Sequence, residues 1–133
     1  MHLSNTNSPL SNDVVQFGNG YEVTRGLEVM KIGNRQYKLE SLNQLLIMDL
    51  PRLKSIEIGK WSFKYVREFE ICNCPELISL HIGEYSFTVA DKTSEITGDD
   101  GIVQIHDCSK LQSIKMDGNA FLDYHIFEIR GMI

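Results

Sequence analysis

Two segments of this chain, Leu53–Phe63 (LKSIEIGKWSF) and Leu77–Phe87 (LISLHIGEYSF), carry one pattern 24 residues apart: Leu-x-Ser-[Ile/Leu]-x-Ile-Gly-x-x-Ser-Phe. Looser copies flank them at Leu27–Tyr37 (LEVMKIGNRQY) and Leu111–Phe121 (LQSIKMDGNAF). A period of this length is the signature of stacked units, each unable to bury its apolar face without a neighbour. That constrains the fold more tightly than any other feature of the chain.

A second motif, apolar-x-apolar-x-Asx, interleaves with the first. Its copies are Val15–Asn19, Leu45–Asp49, Phe69–Asn73 and Val103–Asp107, with Phe127–Gly131 ending on glycine instead. Alternation with period two predicts half-buried strands. Three copies run into turns, at Asp49-Leu50-Pro51, Asn73-Cys74-Pro75 and Asp107-Cys108-Ser109. Asx side chains and proline both suit such a turn. A second strand follows as Leu-x-x-Ile-x-Ile, then Gly33, Gly59 or Gly83, where the expectation is a turn that only glycine makes freely. The closing Tyr37, Phe63, Phe87 and Phe121 are expected to point inward and fill the interior.

The expected fold is therefore mainly β, a solenoid of about four coils with two short strands each and little helix. The steps between second-strand leucines, 27 to 53, 53 to 77 and 77 to 111, place an insertion loop at residues 88–101. Residues 1–14 read as a flexible leader and residues 15–133 as the repeat domain.

The pattern resembles leucine-rich repeats. Leu53, Ile56, Ile58 and Phe63, with Leu77, Leu80, Ile82 and Phe87, lie on the general Leu-x-x-Leu-x-Leu-x-x-Asn-x-Leu segment. The Ile-Gly-x-x-Ser-Phe close is most similar to the BspA-type subfamily, whose units carry Ile-Gly-x-x-Ala-Phe. The usual asparagine position holds Arg35, Trp61, Tyr85 and Asn119, so one unit alone keeps it. The resemblance implies a curved scaffold that binds proteins and catalyses nothing, and it carries over no particular partner.

Composition narrows the function classes. A net charge of −5, with no Lys/Arg cluster longer than a pair, argues against a nucleic-acid surface. Apolar runs fall far short of the roughly 18–20 residues that a membrane helix needs. The start of the chain lacks the form of a signal peptide, and three cysteines do not make a disulfide framework. Both features favour a cytoplasmic setting.

The outer side of the second strands is the candidate recognition face. It carries Lys31, Glu57, His81 and Lys115 in one row, flanked by Lys60 and Glu84 and edged by Trp61 and Tyr85. Aromatic residues of that kind dominate binding hot spots; the competing reading is a solvated face of weak charge pairs. The opposite surface offers Gln16, Leu46, Glu70, Gln104 and Glu128 in one row, then Met48, Cys72, His106 and Arg130 in the next.

No catalytic residue, cofactor or metal ligand is expected. Cys108 sits beside His106 and Asp107, but aligns with Leu50 and Cys74 at a core position. There is no Cys-x-x-Cys, and Cys72 and Cys74 are expected to face opposite ways. Asp91, Glu95, Asp99 and Asp100 of the insertion read as a solvated acidic loop. The chain stops soon after a first-strand motif at Phe127 and Ile129, which leaves three readings open beside the expected protein partner: homo-oligomerisation through terminal coils, a fragment of a longer repeat array, or a last strand that blunts itself.

Overall fold

The computed structural model describes residues 2–3, 14–18, 26–38, 40–88, 101–121 and 124–131. Most of the expected leader and of the insertion, with its four acidic residues, lies outside them. The described residues are β throughout, with no helix and so none long enough to cross a membrane.

Among the described residues, ten strands alternate between two parallel sheets. Sheet A contains β1 (His2–Leu3), β3 (Val29–Ile32), β5 (Ser55–Ile58), β7 (Ser79–Ile82) and β9 (Ser113–Met116), in that order. Sheet B contains β2 (Val14–Gly18), β4 (Gln44–Met48), β6 (Glu68–Cys72), β8 (Gly101–His106) and β10 (Tyr124–Arg130), with β2 and β10 at its edges. Within the stretch read as a leader, His2–Leu3 is thus paired strand, in register with Lys31 and Ile32. Motif copies lie side by side: Ile56 pairs with Met30 and Leu80, and Ile71 with Ile47 and Ile105.

Alternation makes one face of each strand apolar, and the two apolar faces share one core. Met30, Ile56 and Leu80 from sheet A, with Leu45, Phe69 and Val103 from sheet B, are buried in it. The expected inward aromatics are there as well. Tyr37, Phe63, Phe87 and Phe121 form a stack with centroids 4.9, 5.2 and 4.6 Å apart. Burying each ring contributes roughly 1.5–3 kcal/mol.

Turns recur with the same backbone across the described units. Asp49, Asn73 and Asp107 adopt positive φ of 58°, 53° and 57°, and Gly131 holds the equivalent position at 68°. Asn and Asp tolerate this left-handed region better than other side chains do. The turn then closes through Leu53, Leu77 and Leu111 N–H donating to the carbonyls of Leu50, Cys74 and Cys108. Pro51 and Pro75 occupy the position where a preset φ favours that turn.

The role expected of the glycines needs correction. Gly33, Gly59 and Gly83 do not adopt positive φ. At two of them neighbouring units pass too closely for a side chain: a Cβ on Gly59 would lie 2.5 Å from Asn34 Oδ1, and one on Gly83 would lie 2.5 Å from Lys60 N, whereas one on Gly33 would meet nothing nearer than 4.0 Å. The left-handed residues come two positions later, at Arg35, Trp61, Tyr85 and Asn119, and again at the closing aromatics.

In place of an asparagine ladder, a short serine ladder ties the units together. Buried Ser62 Oγ accepts from Gln36 N–H at 3.1 Å and donates to Gly33 O at 2.9 Å. Ser86 Oγ repeats the arrangement one unit on, with Ser62 N–H at 3.1 Å and Gly59 O at 2.7 Å. Ala120 ends the ladder, because it has no hydroxyl to offer Ser86.

Candidate functional site

The outward positions of sheet A form a single row, since Lys31, Glu57, His81 and Lys115 are register partners across four strands. Lys31 Nζ lies 3.7 Å from Glu57 Oε2, and Lys54 Nζ lies 2.9 Å from Glu28 Oε1. These side chains are about half exposed, so water and salt screen them and each pair adds little stability. His81 does not pair along its row. Its Nε2 meets Asp117 Oδ2 at 3.0 Å, and Asp117 stands where the preceding units have glycine.

Beside this row runs a groove lined by Asn34, Glu57, Gly59, Lys60, His81, Gly83, Glu84 and Asp117. Its floor is low because Gly59 and Gly83 lack side chains. Next along the chain from the groove residues Asn34, Lys60 and Glu84 come the left-handed turn residues Arg35, Trp61 and Tyr85. Trp61 and Tyr85 stack with centroids 4.3 Å apart and planes 10° apart, both rings half-buried. The Arg35 guanidinium lies 5.8 Å from the Trp61 ring centroid and caps the stack. Holding each of these residues at positive φ costs of order 1 kcal/mol. Backbone bonds between units offset this, Arg35 N–H to Lys60 O and Trp61 N–H to Glu84 O, both at 2.9 Å.

Of the eight residues singled out from the sequence, Lys31, Glu57, His81 and Lys115 share one row, Glu57, Lys60, His81 and Glu84 line the groove, and Trp61 and Tyr85 form the stack. Sequence reasoning missed the Arg35 cap and the His81–Asp117 pair. The first was legible as the third member of the Trp61/Tyr85 column. The second was legible as the single carboxylate in a column of glycines.

The outer face of sheet B holds a different arrangement. Cys72 and His106 are register partners on β6 and β8, and Glu70 is two residues from Cys72 on the same face. Glu70 Oε2 is 2.6 Å from His106 Nε2, and Asp107 Oδ2 is 3.2 Å from His106 Nδ1. One donor atom from each of Glu70, Cys72 and His106 lies within 4.8 Å of the other two. The hydrogen bond to Glu70 raises the His106 pKa, burial opposes the rise, and Asp107 adds to it. Burial, then the carboxylates of Glu70 and Asp49, push the Cys72 thiol up to about 11.

Cys72 and Cys74 do face opposite ways, half-buried outside and fully buried inside. The reason is the left-handed Asn73 between them, since an uninterrupted strand would put both on one side. Cys108 lies in the core with Sγ 3.4 Å from the His106 carbonyl, while the imidazole of His106 stands on the outer surface. The two side chains are therefore not a nucleophile and its base. Comparison of the chain with protein-family models, curated proteins and solved structures finds no significant match.

Proposed function

We propose that the chain is a leucine-rich-repeat-like solenoid serving as a non-enzymatic protein-interaction module. Its binding side is the outer face of sheet A with the adjoining groove. The observation that carries this reading is the half-buried Trp61–Tyr85 stack, whose chain neighbours Lys60 and Glu84 line a mixed-charge groove. Trp and Tyr offer large contact area with few rotatable bonds, and a backbone fixed by ladders loses little freedom on binding. Lys31, Glu57, Lys60, His81, Glu84 and Lys115 would set partner choice through charge complementarity. The test is a pull-down comparing the parent chain with a Trp61→Ala/Tyr85→Ala double variant of equal melting temperature. Partner proteins retained by the parent and lost from the variant support the reading; equal retention refutes it.

A second reading, self-assembly, has its own observation. At the β9/β10 end of the stack, Met116, Phe127 and Ile129 are each nearly half exposed. A cleft of about 290 Å³ lined by Leu111, Gln112, Ser113, Ile114 and Ile129 adjoins them. An apolar strand edge of this kind invites pairing with another chain. Concentration-dependent oligomers in light scattering, lost on Ile129→Lys, would favour assembly over recognition.

A further inference from the structure

We infer that Glu70, Cys72 and His106 form a binding site for a borderline-soft divalent metal ion of the zinc class, with Asp107 orienting the histidine. Three lines of geometry converge on it. The donor set of carboxylate, thiolate and imidazole matches what zinc takes, and three protein ligands plus water complete a tetrahedron. The donors are held by parallel strand register rather than by a loop, so a ligand cluster exists before any ion arrives. Tetrahedral bonds of roughly 2.0–2.3 Å need donors roughly 3.3–3.8 Å apart, within the 4.8 Å that encloses these three.

The second partner of the histidine strengthens the assignment. With Nδ1–H donated to Asp107, loss of the Nε2 proton leaves a lone pair facing Glu70, with Cys72 beside it. A carboxylate on the far nitrogen of a ligating histidine fixes its tautomer and raises its basicity. The 2.6 Å between Glu70 and His106 is an N–H···O distance, and it widens as an ion takes the proton's place. Arg130, the register neighbour of His106 on β10, opposes a cation; its Nε lies 3.4 Å from Glu128 Oε1, which partly neutralises it.

The proton balance is explicit. The Cys72 thiol releases its proton to solvent as the metal–sulfur bond forms. An imidazolium at His106 releases its Nε2 proton and keeps Nδ1–H. Binding therefore liberates one or two protons and tightens as pH rises.

The test titrates the purified chain with Zn²⁺ alone by calorimetry and with Co²⁺ by absorption spectroscopy. The expected result is one ion per chain, proton release that varies with buffer ionisation enthalpy, and a thiolate-to-cobalt charge-transfer band. Cys72→Ser should remove that band, and Glu70→Gln or His106→Gln should weaken binding at least tenfold. Asp107→Asn should weaken it roughly 10–100-fold while leaving the band in place. In the parent chain, Zn²⁺ should protect Cys72 from alkylation, a readout that needs no variant to fold. Unchanged affinity in His106→Gln, a cobalt spectrum without the sulfur band, or no binding at millimolar Zn²⁺ would each overturn the site.

Discussion

The middle of the stack and its β9/β10 end are built from the same letters and have opposite fates. Ile47, Ile71, Ile105 and Ile129 occupy one column; the first three are buried, and Ile129 is 47% exposed. Phe69 and Phe127 show the same contrast, 1% against 46%. Strand pairing persists to the edge, since Ile129 pairs with Ile105 and Phe127 with Val103. What the end lacks, among the described residues, is a further unit over its apolar face. In a stacked fold the hydrophobic stabilisation belongs to the interface between units and not to the unit itself.

That comparison breaks or holds on paired substitutions. The largest effect is expected at Phe87, which stacks on Phe63, Phe69 and Phe121. Phe87→Ala should cost about 3–5 kcal/mol in urea unfolding, and Phe127→Ala less than about 1.5 kcal/mol, because only half of that ring is out of water. Equal losses would show that the two regions are energetically alike. Next come the glycines. A Cβ at Gly83 would sit 2.5 Å from a backbone nitrogen, whereas at Gly118 it meets nothing within 4 Å. Gly83→Ala should therefore lower stability by about 2–3 kcal/mol, the cost of overpacking. Gly118→Ala should be neutral or stabilising by up to about 1 kcal/mol.

The serine ladder yields a third, smaller contrast. Ser86→Ala strands Ser62 N–H and Gly59 O in the interior and should cost about 1–3 kcal/mol. Ala120→Ser at the half-buried end of the same column should change stability by less than about 0.5 kcal/mol. The smallest effect is pH-dependent and sharpens the picture of sheet B. The folded pKa of His106 is raised, so its contribution is fully present below the unfolded value of 6.5. It fades as pH climbs from there through the higher folded value. Comparing the parent with His106→Gln in metal-free buffer should show the parent's advantage shrinking over that window. An advantage that grows with pH would reverse the sign argued here.

How much was readable beforehand divides along physical lines. Ile56, Ile58, Leu80 and Ile82 were legible as core because period-two alternation is a local property that strand geometry turns directly into sidedness. The placement of Lys31, Glu57, His81 and Lys115 in one row followed from aligning the motif copies. The glycine role was misread, because a close approach between Gly83 and Lys60 involves residues from different units and leaves no local trace. The side-chain cluster of Glu70, Cys72 and His106 on sheet B left no local trace for a related reason. Glu70 and Cys72 are 36 and 34 residues from His106, a separation no short metal-binding motif covers, although the repeat register set them side by side.

Spacing and alternation alone determined that this chain forms parallel strands with one apolar face each, since side-chain direction follows from backbone geometry residue by residue. Only the tertiary structure decided which apolar faces leave water and which polar groups meet. Burial and contact depend on what lies across the gap, and that neighbour comes from another unit.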